Sequence, residues 1–261
     1  MRLGLFDFLS NRRKSRPSKP AELKISAGMR VYAIGDIHGR LDLLDALHDQ
    51  IVADAATAQA RHNVIVYLGD YVDRGLNSKT VLDRLINGPP PEFEKVYLKG
   101  NHEAIMLDFL DDSTIGKKWL AIGGNATLLS YGVDAPRGRG SAADFEKVQG
   151  ELISKLPSAH LAFLESLELT HTIGDYQFVH AGVRPGRLLR RQVERDLIWI
   201  REPFLSSPVW HGKVIVHGHS TEWEPEVYDN RIGIDTAAYA SGRLTCLILW
   251  DTKRAFLFAD A

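Results

Sequence analysis

A layered α/β domain with parallel strands is predicted by two features of this sequence. Short apolar runs rich in β-branched and aromatic residues alternate with helical periodicities through the first half of the chain. Five of these runs also stop abruptly in glycine, histidine, asparagine or aspartate. In layered α/β folds the residues just beyond the carboxyl ends of the strands converge on one ligand site.

The first run is Val31-Tyr32-Ala33-Ile34, ending in Gly35-Asp36-Ile37-His38-Gly39. Leu43, Leu44, Leu47, Ile51 and Val52 then recur at helical spacing between Leu41 and Ala60. Val64-Ile65-Val66-Tyr67-Leu68 reads as a strand buried on both faces, and it ends in Gly69-Asp70-Tyr71-Val72-Asp73-Arg74-Gly75. Ser78 is placed to cap a helix through Leu85 and Ile86, stopped by Gly88 and three prolines. Val96-Tyr97-Leu98 leads into Gly100-Asn101-His102-Glu103, and Ile105, Met106, Phe109 and Leu110 continue as a helix from His102 to Leu110. Pro136 to Ser141 reads as a loop, in which Arg137 and Arg139 are solvated. From Tyr176 onward the runs are mostly strand-like: Phe178-Val179-His180-Ala181-Gly182, then Val214-Ile215-Val216-His217-Gly218-His219, then Leu244 to Trp250.

Composition narrows the functional classes. The 261 residues are 44% hydrophobic, enough for one sizeable core, and the formal net charge of −1 gives no global field for nucleic acid. No apolar stretch reaches membrane-spanning length. The single cysteine, Cys246, sits inside an apolar run and reads as a packing residue, so no disulfide forms within the chain and a cytoplasmic location is expected. The first twenty residues carry six basic groups against Asp7, a charge of +5, which leaves −6 for the remainder. Their basic cluster follows a short apolar stretch instead of preceding one, the reverse of a secretory signal. Residues 1–24 are therefore expected to form a basic tail, either solvated or docking a partner or a membrane surface.

Asp36, His38, Asp70, Asn101, His180 and His219 would meet at the strand ends. Carboxylates and imidazoles gathered in one buried place repel or desolvate one another unless a cation joins them. The oxygen and nitrogen donor set, without thiolate, suits Mn²⁺, Fe, Zn²⁺ or Mg²⁺. Six ligands exceed one structural zinc tetrahedron, and two metals sharing a carboxylate fit better.

The same motifs, in this order, resemble the signature of the phosphoprotein phosphatase family. These are the metal-dependent serine/threonine phosphatases of bacterial type within the calcineurin-like metallophosphoesterases. The resemblance spans about residues 30 to 250. It implies a four-layer α/β/β/α sandwich, with residues 25–261 as the catalytic domain. It implies two divalent ions, with Mn²⁺ expected in vitro and Fe or Zn²⁺ as alternatives. Asp36 and His38 resemble ligands of one metal, Asp70 the bridge, and Asn101, His180 and His219 ligands of the other. Arg74 resembles the phosphate-clamping arginine, and Arg201, in Asp196-Leu197-Ile198-Trp199-Ile200-Arg201, a second one beside Asn101. His102 with Asp73 resembles the catalytic acid and its orienting partner. Glu103 and His217 are expected to support neighbouring groups, and His48, His62, His160, His171 and His211 to be surface or packing residues.

The activity so implied is hydrolysis of phosphoserine or phosphothreonine in a protein or peptide by a metal-activated water. Symmetrical diadenosine tetraphosphate hydrolysis is the nearest alternative. Relatives with that activity typically have Ala where Asp73 stands and Asp where Glu103 stands. A non-catalytic metal-binding scaffold is an alternative of another class, opposed by the filled catalytic positions.

Overall fold

The computed structural model describes residues 19–58, 60–88, 91–138 and 140–261. Most of the basic tail, and Arg139, lie outside the described residues. The chain alternates first, through β1 (Met29–Ile34), α1 (Leu41–Thr57), β2 (His62–Tyr67), α2 (Ser78–Asn87), β3 (Phe93–Tyr97) and α3 (Asn101–Asp111). A helical stretch follows, with α4 (Gly116–Ala121), α5 (Gly124–Ser130), α6 (Ala142–Lys155) and α7 (Ser158–Glu165). The rest is β4 (Thr170–Ile173), β5 (Tyr176–Val179), α8 (Glu194–Trp199), β6 (Val214–His217), β7 (Glu226–Val227), β8 (Arg231–Gly233), α9 (Ala238–Ser241), β9 (Arg243–Trp250) and β10 (Lys253–Asp260).

Two five-stranded sheets form, ordered β10-β9-β1-β2-β3 and β4-β5-β6-β8-β7. The strands that lead into the site are parallel, β1-β2-β3 in one sheet and β5-β6-β8 in the other. Antiparallel strands flank them: β9 and β10 in the first sheet, β4 and β7 in the second. The sheets are thus mixed: the expected parallel strands lead into the site, and antiparallel strands are added beside them.

Period-two alternation explains why the strand runs are apolar throughout. Ile65 and Tyr67 point into the core beneath α1, α2 and α3. Val64, Val66 and Leu68 point the other way, against Phe178, Val214, Val216 and Ile232 of the second sheet. A third cluster, Val179, Ala181, Ile215, Leu197, Ile198 and Phe204, covers the outer face of the second sheet with α8 and the turn after it. The result is helices, sheet, sheet and a thinner helical layer, the four-layer order expected.

Two local expectations change. Ser78 is the first residue of α2 and not its cap; its fully buried hydroxyl instead receives the Asp73 N–H at 3.0 Å. Helices α4 to α7 give little apolar periodicity in the sequence because several are short and each buries only a few side chains. Within the 136–141 loop Ser141 ends the irregular stretch by capping α6, accepting the Asp144 N–H. None of the described helices is long and apolar enough to cross a membrane.

Candidate metal centre

The loops after β1 and β2 clasp each other. The Ile37 and His38 amides both donate to the Asp70 carbonyl, Gly39 N–H to Tyr71 O and Gly75 N–H to His38 O. Glu103, at the start of α3, straps the second loop down: its carboxylate accepts the N–H groups of Asp70, Tyr71, Val72 and Gly100 at 2.7–3.2 Å. Glu103 is thus the structural residue the sequence reading anticipates. The positions of Gly100 and Gly218 allow the close approach that puts the carboxylates in place, since a Cβ on either would strike Asp70 or Asp36.

Among the described residues seven non-glycine residues have left-handed φ, and five of them are His38, Asp70, Asp73, Arg74 and His219. Such conformations cost about 1–3 kcal/mol each and persist where surrounding bonds over-determine them, typically at functional sites. Their concentration here marks the strand ends as a constructed site.

Two groups of ligand atoms meet around Asp70. His38, Asp70 and His102 form one and Asp70, His180 and His219 the other, the atoms of each lying within 4.8 Å of one another. All five residues are buried. Asp36 stands beside them, accepting the His219 N–H at 3.1 Å. Asn101 Oδ1 lies 3.0 Å from His180 Nε2. The structure therefore brings together every residue predicted as a ligand, with Asp70 common to both groups. It also brings His102 into the first group, which the assignment as an acid does not require.

Hydrogen bonds orient the imidazoles. His38 Nδ1 faces the Val72 carbonyl at 2.8 Å and His180 Nδ1 faces the Leu68 carbonyl at 2.8 Å. Each ring is thereby held with Nε2 turned inward. His219 Nε2 is buried with no hydrogen-bond partner. A buried lone pair beside two other converging donors fits a divalent cation, as does the mix of imidazole, carboxylate and amide.

Electrostatics agree with that fit. Burial, then the charges of Asp235 and Asp70, pushes the Asp36 carboxyl well above its usual value. Burial also opposes ionisation of Asp70, yet His180, His102 and His38 hold it well below the usual carboxylate range. Burial lowers His38 to about 3, so this imidazole is neutral and able to coordinate. His102 behaves oppositely: burial works against its charge, but Asp70 and Asp73 outweigh burial and raise its pKa.

Asp73 is held more tightly than any sequence motif indicates. Its carboxylate accepts from His102 Nδ1 at 2.7 Å, Trp119 Nε1 at 2.9 Å and Thr127 Oγ1 at 2.6 Å. Arg74 lies 3.0 Å from His38 Nε2 and packs its guanidinium 4.7 Å from the centre of the Tyr239 ring. Arg201 is exposed and donates through Nη2 to the His219 carbonyl at 3.0 Å. His217 is buried against Gly218 O and Arg231 and is in neither ligand group. His48 and His160 pair with the hydroxyls of Tyr67 and Tyr131 away from the centre.

Four contributors were missed at the sequence level. Trp119 and Thr127 come from the poorly legible helices, and Tyr239 carries no signal. Asp235 did have one: Ile232-Gly233-Ile234-Asp235 is a further apolar run ending in aspartate, and Asp235 is 4% exposed beside Asp36.

Residues 29–242 match the calcineurin-like phosphoesterase family. The chain is 28% identical to serine/threonine-protein phosphatase 2 of Escherichia coli (strain K12) over 82% of this chain and 90% of that protein. It is 23% identical to the asymmetrical bis(5'-nucleosyl)-tetraphosphatase PrpE of Bacillus thuringiensis (strain Al Hakam), over 84% and 90% of the two chains. Among solved structures, one provisionally assigned as a diadenosine tetraphosphatase aligns with a TM-score of 0.60 at 19% identity, covering 88% of this chain and 93% of that one. A cold-active protein tyrosine phosphatase aligns with a TM-score of 0.52 at 17% identity, over 90% and 81%. With its two sheets, its clustered strand-end ligands and a match over most of its length, the chain belongs to the calcineurin-like phosphoesterase family of metallophosphoesterases.

Proposed function

We propose that this chain is a metal-dependent protein phosphatase that hydrolyses phosphoserine and phosphothreonine. The observation that carries this reading is the buried His102–Asp73 pair at 2.7 Å, with Asp73 fixed by Trp119 and Thr127. A serine or threonine alkoxide is strongly basic and needs a proton as it departs. A nucleotide leaving from a tetraphosphate is a far weaker base and needs little such help. An acid engineered with this much support favours the alkyl ester.

Asp36, His38 and Asp70 would hold one cation, and Asp70, Asn101, His180 and His219 the other; Mn²⁺ suits the donor set, with Fe or Zn²⁺ also suitable. Two bound cations would lower the pKa of a water to make a nucleophile near neutral pH and would offset phosphate charge. The side chains do the rest. Arg74 and Arg201 grip the equatorial phosphate oxygens, where charge accumulates, through planar forks matched to two oxygens. Asn101 adds an amide donor beside them. His102 Nε2 delivers its proton to the leaving oxygen while Nδ1 stays bonded to Asp73, which fixes the tautomer and sustains the imidazolium.

A second reading, dinucleoside tetraphosphate hydrolysis, is supported by the 23% identical tetraphosphatase relative. The two separate when kcat/KM of the Mn²⁺-loaded protein is measured on a phosphoserine peptide and on diadenosine tetraphosphate. The protein-phosphatase reading expects the peptide to be the better substrate; the reverse order rejects it. Absence of turnover with both, and with a generic aryl phosphate, would favour a metal-binding scaffold.

A further inference from the structure

Beside the metal centre lies a cleft of about 770 Å³ lined by Arg184, Arg187, Arg195 and Arg201, together with Trp199. Arg201 joins it to the centre through its bond to the His219 carbonyl, and the Trp199 ring meets the His219 ring edge-on at 6.2 Å. We infer that this cleft binds acidic side chains flanking the phosphorylated residue, and so selects acidic phosphopeptides; this rests on the protein-phosphatase reading above.

The charge balance of the lining is the first reason. Four guanidinium groups face two carboxylates, Asp196 and Glu202. Asp196 is already saturated: Arg184 grips it with two bonds of 2.7 and 2.6 Å, and Arg187 adds a third at 3.3 Å. The surplus positive charge is exposed: Arg195 and Arg201 lie at the surface, and the side chains of Arg184 and Arg187 stay 46% and 38% accessible while they hold Asp196. It stands on a chain that carries −6 outside its first twenty residues, so it is a local feature and not part of a basic surface. Arginines pre-ordered on Asp196 can present their remaining N–H donors to incoming carboxylates at low entropic cost.

The surroundings of Trp199 are the second reason. A nucleotide in this cleft would seek an aromatic face for its base, but Lys118 Nζ already sits 5.3 Å over the Trp199 ring. Lys118 adds another cation instead. Scattered guanidinium and ammonium groups around an occupied tryptophan suit several separate carboxylates more than one stacked base.

The test uses the Mn²⁺-loaded full chain and two phosphoserine peptides that differ only in glutamate or glutamine at the flanking positions. The wild type should prefer the glutamate peptide by about fivefold or more at low salt, and the preference should shrink as salt screens exposed charges. Arg195→Glu should abolish or invert the ratio, and the milder Arg187→Gln should reduce it. Equal kcat/KM for the two peptides, or a preference that neither variant changes, overturns the inference. If neither peptide is hydrolysed while an aryl phosphate is, the protein-phosphatase reading fails by itself. The cleft is then read from inhibition of aryl phosphate hydrolysis by the unphosphorylated peptides: stronger inhibition by the glutamate form, lost in Arg195→Glu, supports acidic-peptide binding, and equal inhibition overturns it. A loss confined to diadenosine tetraphosphate hydrolysis in Arg195→Glu also overturns it, in favour of a polyphosphate site.

Discussion

The two sheets furnish unlike halves of the site. Loops after β1, β2 and β3 supply Asp36, His38, Asp70, Asp73, Arg74, Asn101 and His102, and these groups are cross-braced. Asp73 takes three side-chain donors, Glu103 takes four backbone amides, and the loops exchange main-chain bonds. The second sheet supplies His180 and His219, and there bracing is thinner: His219 Nε2 is buried without a partner. The first half holds the His102–Asp73 pair through protein contacts alone. In the second half His180 is bonded to Leu68 O and Asn101 Oδ1, but His219 Nε2 has no protein partner and is left for a ligand. Orientation and metal binding should therefore be separable by mutation.

The largest separable effect is expected at His102. His102→Asn should slow a phosphoserine peptide by about 10²–10⁴-fold, the range of general acid catalysis. A p-nitrophenyl ester, whose leaving group needs little proton help, should lose much less, with the bound metal content unchanged. Equal losses on both substrates would move His102 from acid to phosphate or nucleophile positioning. The same reading fixes a pH direction. Because Asp70 and Asp73 raise the His102 pKa despite burial, its protonated form persists above the ordinary histidine range. Peptide turnover should therefore fall as pH rises through that raised pKa, while the aryl ester falls less.

A smaller effect is expected one contact further out. Trp119→Phe removes the indole N–H from Asp73 but keeps most of the packing. Loss of a partner that orients a functional group typically costs 10–100-fold, and about tenfold on the peptide is expected here because Thr127 still holds Asp73. An undiminished rate would show that Asp73 needs no third support.

Stability, and not turnover, tests a histidine buried away from the metal centre. His48 lies between α1 and β2, bonded to the Tyr67 hydroxyl at 2.9 Å, and burial lowers its pKa to about 4. Its folded value lies below its unfolded value, so the unfolded chain binds the extra proton between the two. The fold should lose about 3 kcal/mol from this group as pH falls from about 6.5 to about 4, at about 1.4 kcal/mol per pKa unit. Urea unfolding across that range should show a shallower decline in His48→Gln than in the wild type. Parallel declines would mean that His48 is not the titrating group.

The contrast between the halves also explains what the sequence disclosed. The first half was legible because its loops are short: Gly35-Asp36-Ile37-His38 and Gly69-Asp70-Tyr71-Val72-Asp73-Arg74 pack several functional types into a few residues after an apolar run. The second half is sparser: His180 follows β5, His219 follows β6, and Asp235, just after β8, was passed over although it follows the same rule. The bracing by Trp119, Thr127 and Tyr239 was illegible because it is made by tertiary contact across helices, without local spacing. The second sheet is expected from the family resemblance and not from the residue pattern alone, because a strand covered by helices on both faces and a strand covered by a helix and a sheet have the same apolar pattern.

Asp70 stands in both ligand groups and would be shared by two cations. Metal content of purified, Mn²⁺-loaded protein, measured by mass spectrometry of the elements against protein concentration, tests it most directly. Two ions per chain are expected in the wild type, and loss of both together with nearly all turnover in Asp70→Asn. Two tightly held ions in Asp70→Asn would contradict it.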